Sequence, residues 1–320
     1  MKVITAHSVD EAYMLGMNHL NAVGNWAESR NGRTLVAPGP VTTTYVNPRN
    51  RVLFNKTRDA NPFFHLMESL WMLDGRHDVD WIAHYARQMR KYSDDGKTFH
   101  GAYGYRWRHW FGFDQLQKTI DLLQENPDDR RVVLSMWDAK ADLGHDGGDF
   151  PCNTHVYFRV VAGRVDITVC NRSNDIIWGC YGSNAVHMSY LQEYVAAALN
   201  LGVGNYYQMS NNFHAYEDVW NRCWEDNTYH PLCPYDRNEV EPFPLVRHIE
   251  VWNADLATFM KHTHEHVLYG EPFFEYVAKP MAQAWDYWRS NNVSKGRECA
   301  AEIKASDWRM ACEQWLERRV

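Results

Sequence analysis

The chain has 320 residues, 45% apolar and 23% charged with both signs interspersed, enough to bury a substantial core and unlike a disordered tail. A net charge of −7 argues against nonspecific binding of polymeric nucleic acid, and no window approaches the ~20 apolar residues of a membrane span. The opening MKVITAHSVDEAY lacks a signal peptide's apolar core, and seven cysteines without a CxxC pair read as reduced thiols, so a cytoplasmic location is expected.

Ser8-Val-Asp-Glu11 is a capping-box pattern ahead of Ala12, Met14, Leu15 and Met17, and predicts a helix over about 9–27. The β-branched VTTTYV (41–46) reads as a strand, and NPFFHLMESLWML (61–73) as a buried helix. RVVLSMW, THVYFRVV and RVDITVC are three further strands, the last two joined by a tight turn at Ala162-Gly163. Residues 185–201 have helical spacing, with Gly202 as the expected C-cap. NYYQMSNNFHAY reads as one more strand, and from about residue 250 the pattern is helical to the end. No repeat, low-complexity tract or linker divides the chain, so a single domain over 1–320 is expected. Strands and helices are segregated, which predicts an α+β fold with a mixed, mostly antiparallel sheet and a C-terminal helical extension.

Three segments concentrate polar chemistry. In NPDDRRVVLSMW, the side chains of Arg130 and Arg131 should diverge unless the strand has not yet begun. A solvated strand end would explain them as well. In VCNRSNDIIWGCYGSN, a strand runs into Asn171, Arg172, Ser173, Asn174 and Asp175, and a guanidinium beside a hydroxyl makes a phosphate clamp. Asn184 is either a helix N-cap or an amide offering a donor and an acceptor to a pyrimidine edge. His214 and Tyr216 in SNNFHAY share one side of an extended segment and suit a sugar hydroxyl. With no Walker loop and no GxGxxG, a nucleoside monophosphate fits better than ATP or NAD.

PDDRR, PCN ahead of a strand, NRSND…G…N and FHAY follow the order and approximate spacing of the thymidylate synthase and pyrimidine hydroxymethylase superfamily. SRNGRT, ESLWMLDG and AYGYRWR resemble its upstream motifs, and together the motifs cover about 28–217. The resemblance implies Cys152 as nucleophile, Glu68 as the carboxylate organising proton transfer and water, and Tyr103 as part of the proton network. Arg30, Arg172 and Ser173 would hold the 5′-phosphate. Arg130 and Arg131 would reach into the partner's site, because the family forms homodimers with shared sites. Asn184, with Ser183 beside it, would read the base, and His214 and Tyr216 the 3′-hydroxyl. Asp175, Trp71 and Tyr92 would face 5,10-methylenetetrahydrofolate, and no metal is implied. A thiolate adding at C6 makes C5 nucleophilic, and nearby arginines are expected to lower the thiol's pKa. Glu68 has apolar flanks, so a carboxylate enclosed there suits general acid–base work.

Hydride attack on the shared exocyclic-methylene intermediate gives a methyl product, and water gives hydroxymethyl. ACEQWLERRV does not resemble the short apolar tail that closes the synthase site. Met89 and Tyr92 fall where synthases carry indoles, and Asn153 follows the cysteine in place of histidine. These departures favour a hydroxymethylase, with dCMP or CMP the first expectation and dUMP the second, and a thymidylate synthase proper as a further alternative. A phage-encoded enzyme of this kind would work in the host cytoplasm. Rival readings are a cysteine hydrolase pairing Cys152 with His155 or His214, a metal site at KHTHEH (His262, His264, His266), and a noncatalytic nucleotide-binding module.

Overall fold

The structure, a computed structural model, describes residues 1–225, 232–261 and 266–319. Ser8 accepts a hydrogen bond from the Glu11 N–H (3.2 Å) and starts α1 (Val9–Val23). The helix stops short of residue 27 because the Gly24 N–H closes on Leu20 O and Asn25 opens β2 (Asn25–Ser29), which turns back into β3 (Gly32–Val36).

Six strands form the larger sheet. Its order is β1 (Lys2–Ala6), β4 (Val41–Tyr45), β9 (Gly202–Ser210), β7 (Arg164–Asn171), β6 (Asn153–Val161) and β5 (Val133–Ser135). The β1/β4 and β7/β9 pairs are parallel and the others antiparallel, as a mixed sheet requires. Burial alternates along β4 and β7, so one face of each packs inward. The β6–β7 turn is tight because Ala162 and Gly163 both take positive φ (49° and 73°), the primed geometry that matches strand twist.

The smaller sheet runs β2, β3, β10 (Phe213–Tyr216), β8 (Asn174–Asp175). The segment expected as one strand over 205–216 is therefore two. The chain turns at Asn211-Asn212, where the Asn211 N–H bonds Asn171 O (2.9 Å) and the Asn174 N–H bonds Asn212 O (2.8 Å), stitching the two sheets together.

Helix α2 (Pro62–Leu73) is capped by Asn61 and buried nearly all round, and α3 (Val79–Tyr85) follows, capped by Asp78. A single turn, α4 (Tyr103–Tyr105), presses against α2. A Cβ on Gly104 would sit 2.0 Å from Met72 O, so only glycine allows that approach. Then come α5 (Gln115–Glu125), the short α6 (Ala139–Asp142) and α7 (Asn184–Ala198), which is enclosed by α2 and the larger sheet. Asn200 (φ 53°), not Gly202, takes the left-handed position after α7, and Gly202 begins β9 instead.

After α8 (Glu217–Glu225), the C-terminal helices α9 (Ile249–Phe259), α10 (Lys279–Arg289), α11 (Val293–Ala301) and α12 (Ser306–Glu317) fold back on the body. Phe63 of α2 meets Trp285 and Trp315, with ring centroids 5.5 Å apart in both pairs. Buried apolar residues form one cluster from Ile4 to Leu316.

Candidate active site

A cavity of about 1520 Å³ opens between α2, the start of α7, the strand ends at Cys152 and Asn174–Asp175, and the C-terminal helices. Helix α2 turns Phe64, His65, Glu68, Trp71 and Met72 towards it, the i, i+1, i+4, i+7, i+8 stripe of one helical face. Arg30, Tyr92, Tyr103, Cys152, Ser173, Asp175, Ser183, Asn184 and Tyr216 also line it, so most residues singled out in the sequence converge. Their convergence from distant parts of the chain is what the fold adds.

Cys152 sits just before β6. The Tyr103 hydroxyl accepts from its N–H (3.2 Å) and from that of Asn153 (3.4 Å), tying α4 to the strand end. The Arg172 guanidinium lies 3.9 Å from Cys152 Sγ, and its Nε donates to Pro151 O (3.0 Å). The thiol pKa differs from expectation. Burial raises it above its ordinary value, with Arg172 the largest opposing influence, Asp149 and Asp175 adding to the rise, and Arg30 opposing it. Burial also pushes the Tyr103 phenol upward.

Arg30 and Arg172 both approach the ring of Phe150, 5.5 and 5.9 Å from its centroid, and Arg30 donates to Gly147 O. Arg30 lines the cavity, whereas Arg172 is not in its wall and stands beside the Cys152 thiol. Tyr216 shares a hydrogen bond with Asn31 in the β2–β3 turn. His214 is buried beside Tyr216 (centroids 5.4 Å) and does not line the cavity.

Asn184 is the first residue of α7 and not its cap, a position held by Ser183. Its amide belongs to a relay in which Asn153 Nδ2 donates to Asn184 Oδ1 (3.1 Å) and Asn184 Nδ2 to Asn174 Oδ1 (3.1 Å). Asn174 Nδ2 in turn donates to Asn171 Oδ1 (3.1 Å) and Ser210 Oγ (2.9 Å). Asp175 Oδ1 accepts from the N–H groups of Ile177 (2.7 Å) and Trp178 (2.9 Å). Its other oxygen is buried without a partner, and burial raises its pKa.

Arg130 and Arg131 lie on the surface away from this cavity. The strand starts only at Val133, so the two are not forced to opposite faces, and Arg131 chelates Asp129 (2.9 and 2.7 Å). His155 stacks with Tyr157 outside the cavity. His262 and His264 lie outside the described residues, and no cluster of potential metal ligands occurs among the described ones. No helix among the described residues is long and apolar enough to cross a membrane.

Sequence reasoning missed several lining residues. Arg58 is buried, donates from Nε to Ile177 O (2.6 Å) and lies 4.3 Å from the Trp178 ring. The extension contributes Trp285, Trp288, Arg289, Trp315 and Arg319, the last pairing with Asp59 together with Arg318 (2.9 Å). His187 follows Asn184 by three residues, a spacing that put both on one side of α7 from the outset.

The positioning of Tyr103 depends on a buried ion pair. Arg106 is fully enclosed and donates to Asp142 (2.7 and 2.8 Å), Met136 O (2.7 Å) and His100 O (3.0 and 2.8 Å). Asp142 also accepts from His100 Nε2 and the Asp138 N–H, and these partners together with Arg106 hold its carboxyl below the ordinary value although burial opposes ionisation.

A thiol, a carboxylate and an amide thus meet at one cavity, with the Arg30 guanidinium in its wall and that of Arg172 beside the thiol. The family model for thymidylate synthase matches residues 11–244, and the chain belongs to the thymidylate synthase family of one-carbon transferases. A deoxyuridylate hydroxymethyltransferase of Pseudomonas phage M6 is 49% identical over 100% of this chain and 95% of its own length. One of the same name from Bacillus phage SP01 is 36% identical over 58% of this chain and 52% of its own. A putative thymidylate synthase of Methanothermobacter marburgensis is 38% identical over 39% of this chain and 55% of its own.

Proposed function

We propose that the chain transfers a hydroxymethyl group to C5 of deoxyuridine monophosphate (dUMP), using 5,10-methylenetetrahydrofolate. The observation that carries this reading is the Cys152 thiol, 3.9 Å from the Arg172 guanidinium, in one cavity with Glu68 and Asn184. Cys152 adds to C6 and makes C5 nucleophilic, and Arg172 stabilises the thiolate as it forms. Arg30, Arg172 and Ser173 hold the 5′-phosphate, the guanidinium groups by charge-assisted bonds. Tyr216, backed by His214, meets the sugar's 3′-hydroxyl. Glu68 organises water and proton transfer, and Tyr103 holds the Cys152 segment in place.

The cavity suits a folate. Trp71, Met89, Tyr92 and Trp178 give it broad apolar and aromatic walls, and the unpartnered Asp175 oxygen can accept from a pterin amine. Folate supplies a carbon at the oxidation level of formaldehyde. The extension contributes three indoles to the wall, which supports a cavity closed by helices in place of a short tail. Arg130 and Arg131, exposed and unconnected to this cavity, suit the phosphate of a second subunit in a homodimer.

Uracil displaces cytosine as the favoured base. The relatives covering most of this chain carry the deoxyuridylate name, and Asn184 presents an amide whose acceptor meets N3–H while its donor meets O4. Mass analysis of products from dUMP, dCMP and CMP tests both points. The expected product is dUMP heavier by CH2O; a gain of CH2, or turnover of dCMP alone, overturns the reading.

Asn184→Asp should reverse the preference. A carboxylate has no donor for O4 but can accept from cytosine's amino group, so turnover of dUMP should fall about 100-fold and the dCMP/dUMP ratio rise. Parallel kcat/KM measurements check this. An unchanged ratio would remove Asn184 as the base reader.

A further inference from the structure

His187 is enclosed, with a side chain 3% exposed, yet it lines the cavity. Its Nε2 lies 2.9 Å from Glu68 Oε2, but the two are not aligned as a hydrogen bond. Both ring nitrogens and that carboxylate oxygen have no hydrogen-bond partner. Buried polar atoms are almost always satisfied, and three orphans converging on an open cavity mark a place where a small polar molecule bridges them. A purely structural pair would meet head-on and leave nothing over. The place is also specific. His187 is less than one helical turn beyond Asn184, so a molecule held there lies on the side of α7 that carries the Asn184 amide.

We propose that His187 is a positioning residue which, with Glu68, holds the water that completes the reaction, and so directs it to an alcohol. This rests on the function proposed above. With Sγ of Cys152 bonded to C6 and the new carbon doubly bonded to C5, the water oxygen bonds to that exocyclic carbon. The π pair moves onto C5 and the adjoining carbonyl, and the water proton passes to Glu68. The C5 pair then re-forms the C5–C6 double bond and expels the Cys152 sulfur as thiolate. One water is consumed and nothing is oxidised or reduced. The imidazole fixes where the oxygen sits, and Glu68 remains the base.

The test compares two events in one enzyme. Tritium release from [5-³H]dUMP reports loss of the ring hydrogen, before water enters; 5-hydroxymethyl-dUMP reports the water step. His187→Leu should keep tritium release within about threefold while the alcohol formed per tritium released falls about tenfold or more. The stranded electrophilic carbon should be captured by added 2-mercaptoethanol as a thioether. His187→Gln, which places an N–H near the original Nε2, should restore most of the ratio. His187→Asn, lacking that reach, carries the same test if the leucine variant does not fold. A folate-free measurement is also available, because wild type should exchange the hydroxyl oxygen of 5-hydroxymethyl-dUMP with H₂¹⁸O and the leucine variant should lose this exchange. A merely structural role would lower tritium release and alcohol by one common factor, and that result, or unchanged oxygen exchange, overturns the proposal. A methyl product from wild type is read without any variant and overturns the hydroxymethyl reading itself.

Discussion

Cys152→Ala is expected to lower turnover by about 10⁴-fold or more while leaving dUMP affinity within a few-fold of wild type. The covalent route ends without the sulfur, whereas the phosphate and base contacts come from other residues. Initial-rate assays alongside equilibrium titration of dUMP read the two effects separately. The same thiol carries a pH signature. Burial lifts its pKa against the pull of Arg172 and Arg30, so the free enzyme holds mostly thiol near neutrality. Alkylation of Cys152 by iodoacetamide, taken as the difference from the alanine variant, should therefore keep rising between pH 7 and 9, by up to about tenfold per unit below the pKa. Removing a positive charge in Arg172→Gln should slow it further. A plateau already reached at pH 7 would contradict this account.

Asp142→Ala should cost about 3–5 kcal/mol of stability, because it leaves the fully enclosed Arg106 guanidinium without its charged partner. Denaturant titration measures the loss. The sign of its pH dependence follows from the depressed folded-state pKa of Asp142. Its contribution is complete above the ordinary carboxylate value of 3.8 and is lost as pH falls through the lower folded value. The gap between wild type and variant should accordingly narrow in strong acid. Activity should fall along with stability, since Arg106 anchors the turn that delivers Tyr103 to the Cys152 segment. A variant as stable as wild type would mean that the pair is compensated by contacts other than those described.

The local elements that read clearly from sequence are those whose signals are short-range. Asn61-Pro62 ahead of an apolar run announces α2, Ser8 and Glu11 announce α1, and Ala162-Gly163 sets the β6–β7 turn because its backbone conformation is a property of those two residues. The ordered motifs around Arg30, Glu68, Tyr103, Cys152, Arg172 and Asn184 likewise mark residues that the fold gathers in or beside one cavity. The misses are long-range. The Asn211-Asn212 corner looks like strand until Asn171 and Asn174 supply the hydrogen bonds that divert it. The raised pKa of Cys152 depends on how deeply the thiol is enclosed, a sum over neighbours from several segments. The indoles of α10 and α12 carry an ordinary helical spacing, and only the return of the C-terminal helices onto α2 makes them part of the cavity. His187 lay in plain view three residues after Asn184, but its partner Glu68 is more than a hundred positions away.

The run of amides from residue 153 through 184 and 174 to 171 has a sense of direction, in that every carboxamide donates one way and accepts the other. Reversing one member sets donor against donor unless its neighbours reverse too, so the orientation of the Asn184 amide is stored collectively, as a shared polarity. Its far end is anchored in the larger sheet at Asn171 and Ser210. A lineage that changed its nucleobase would have to rewrite this line of side chains as a unit, and a mutation at its remote end should be felt as altered discrimination without any direct contact.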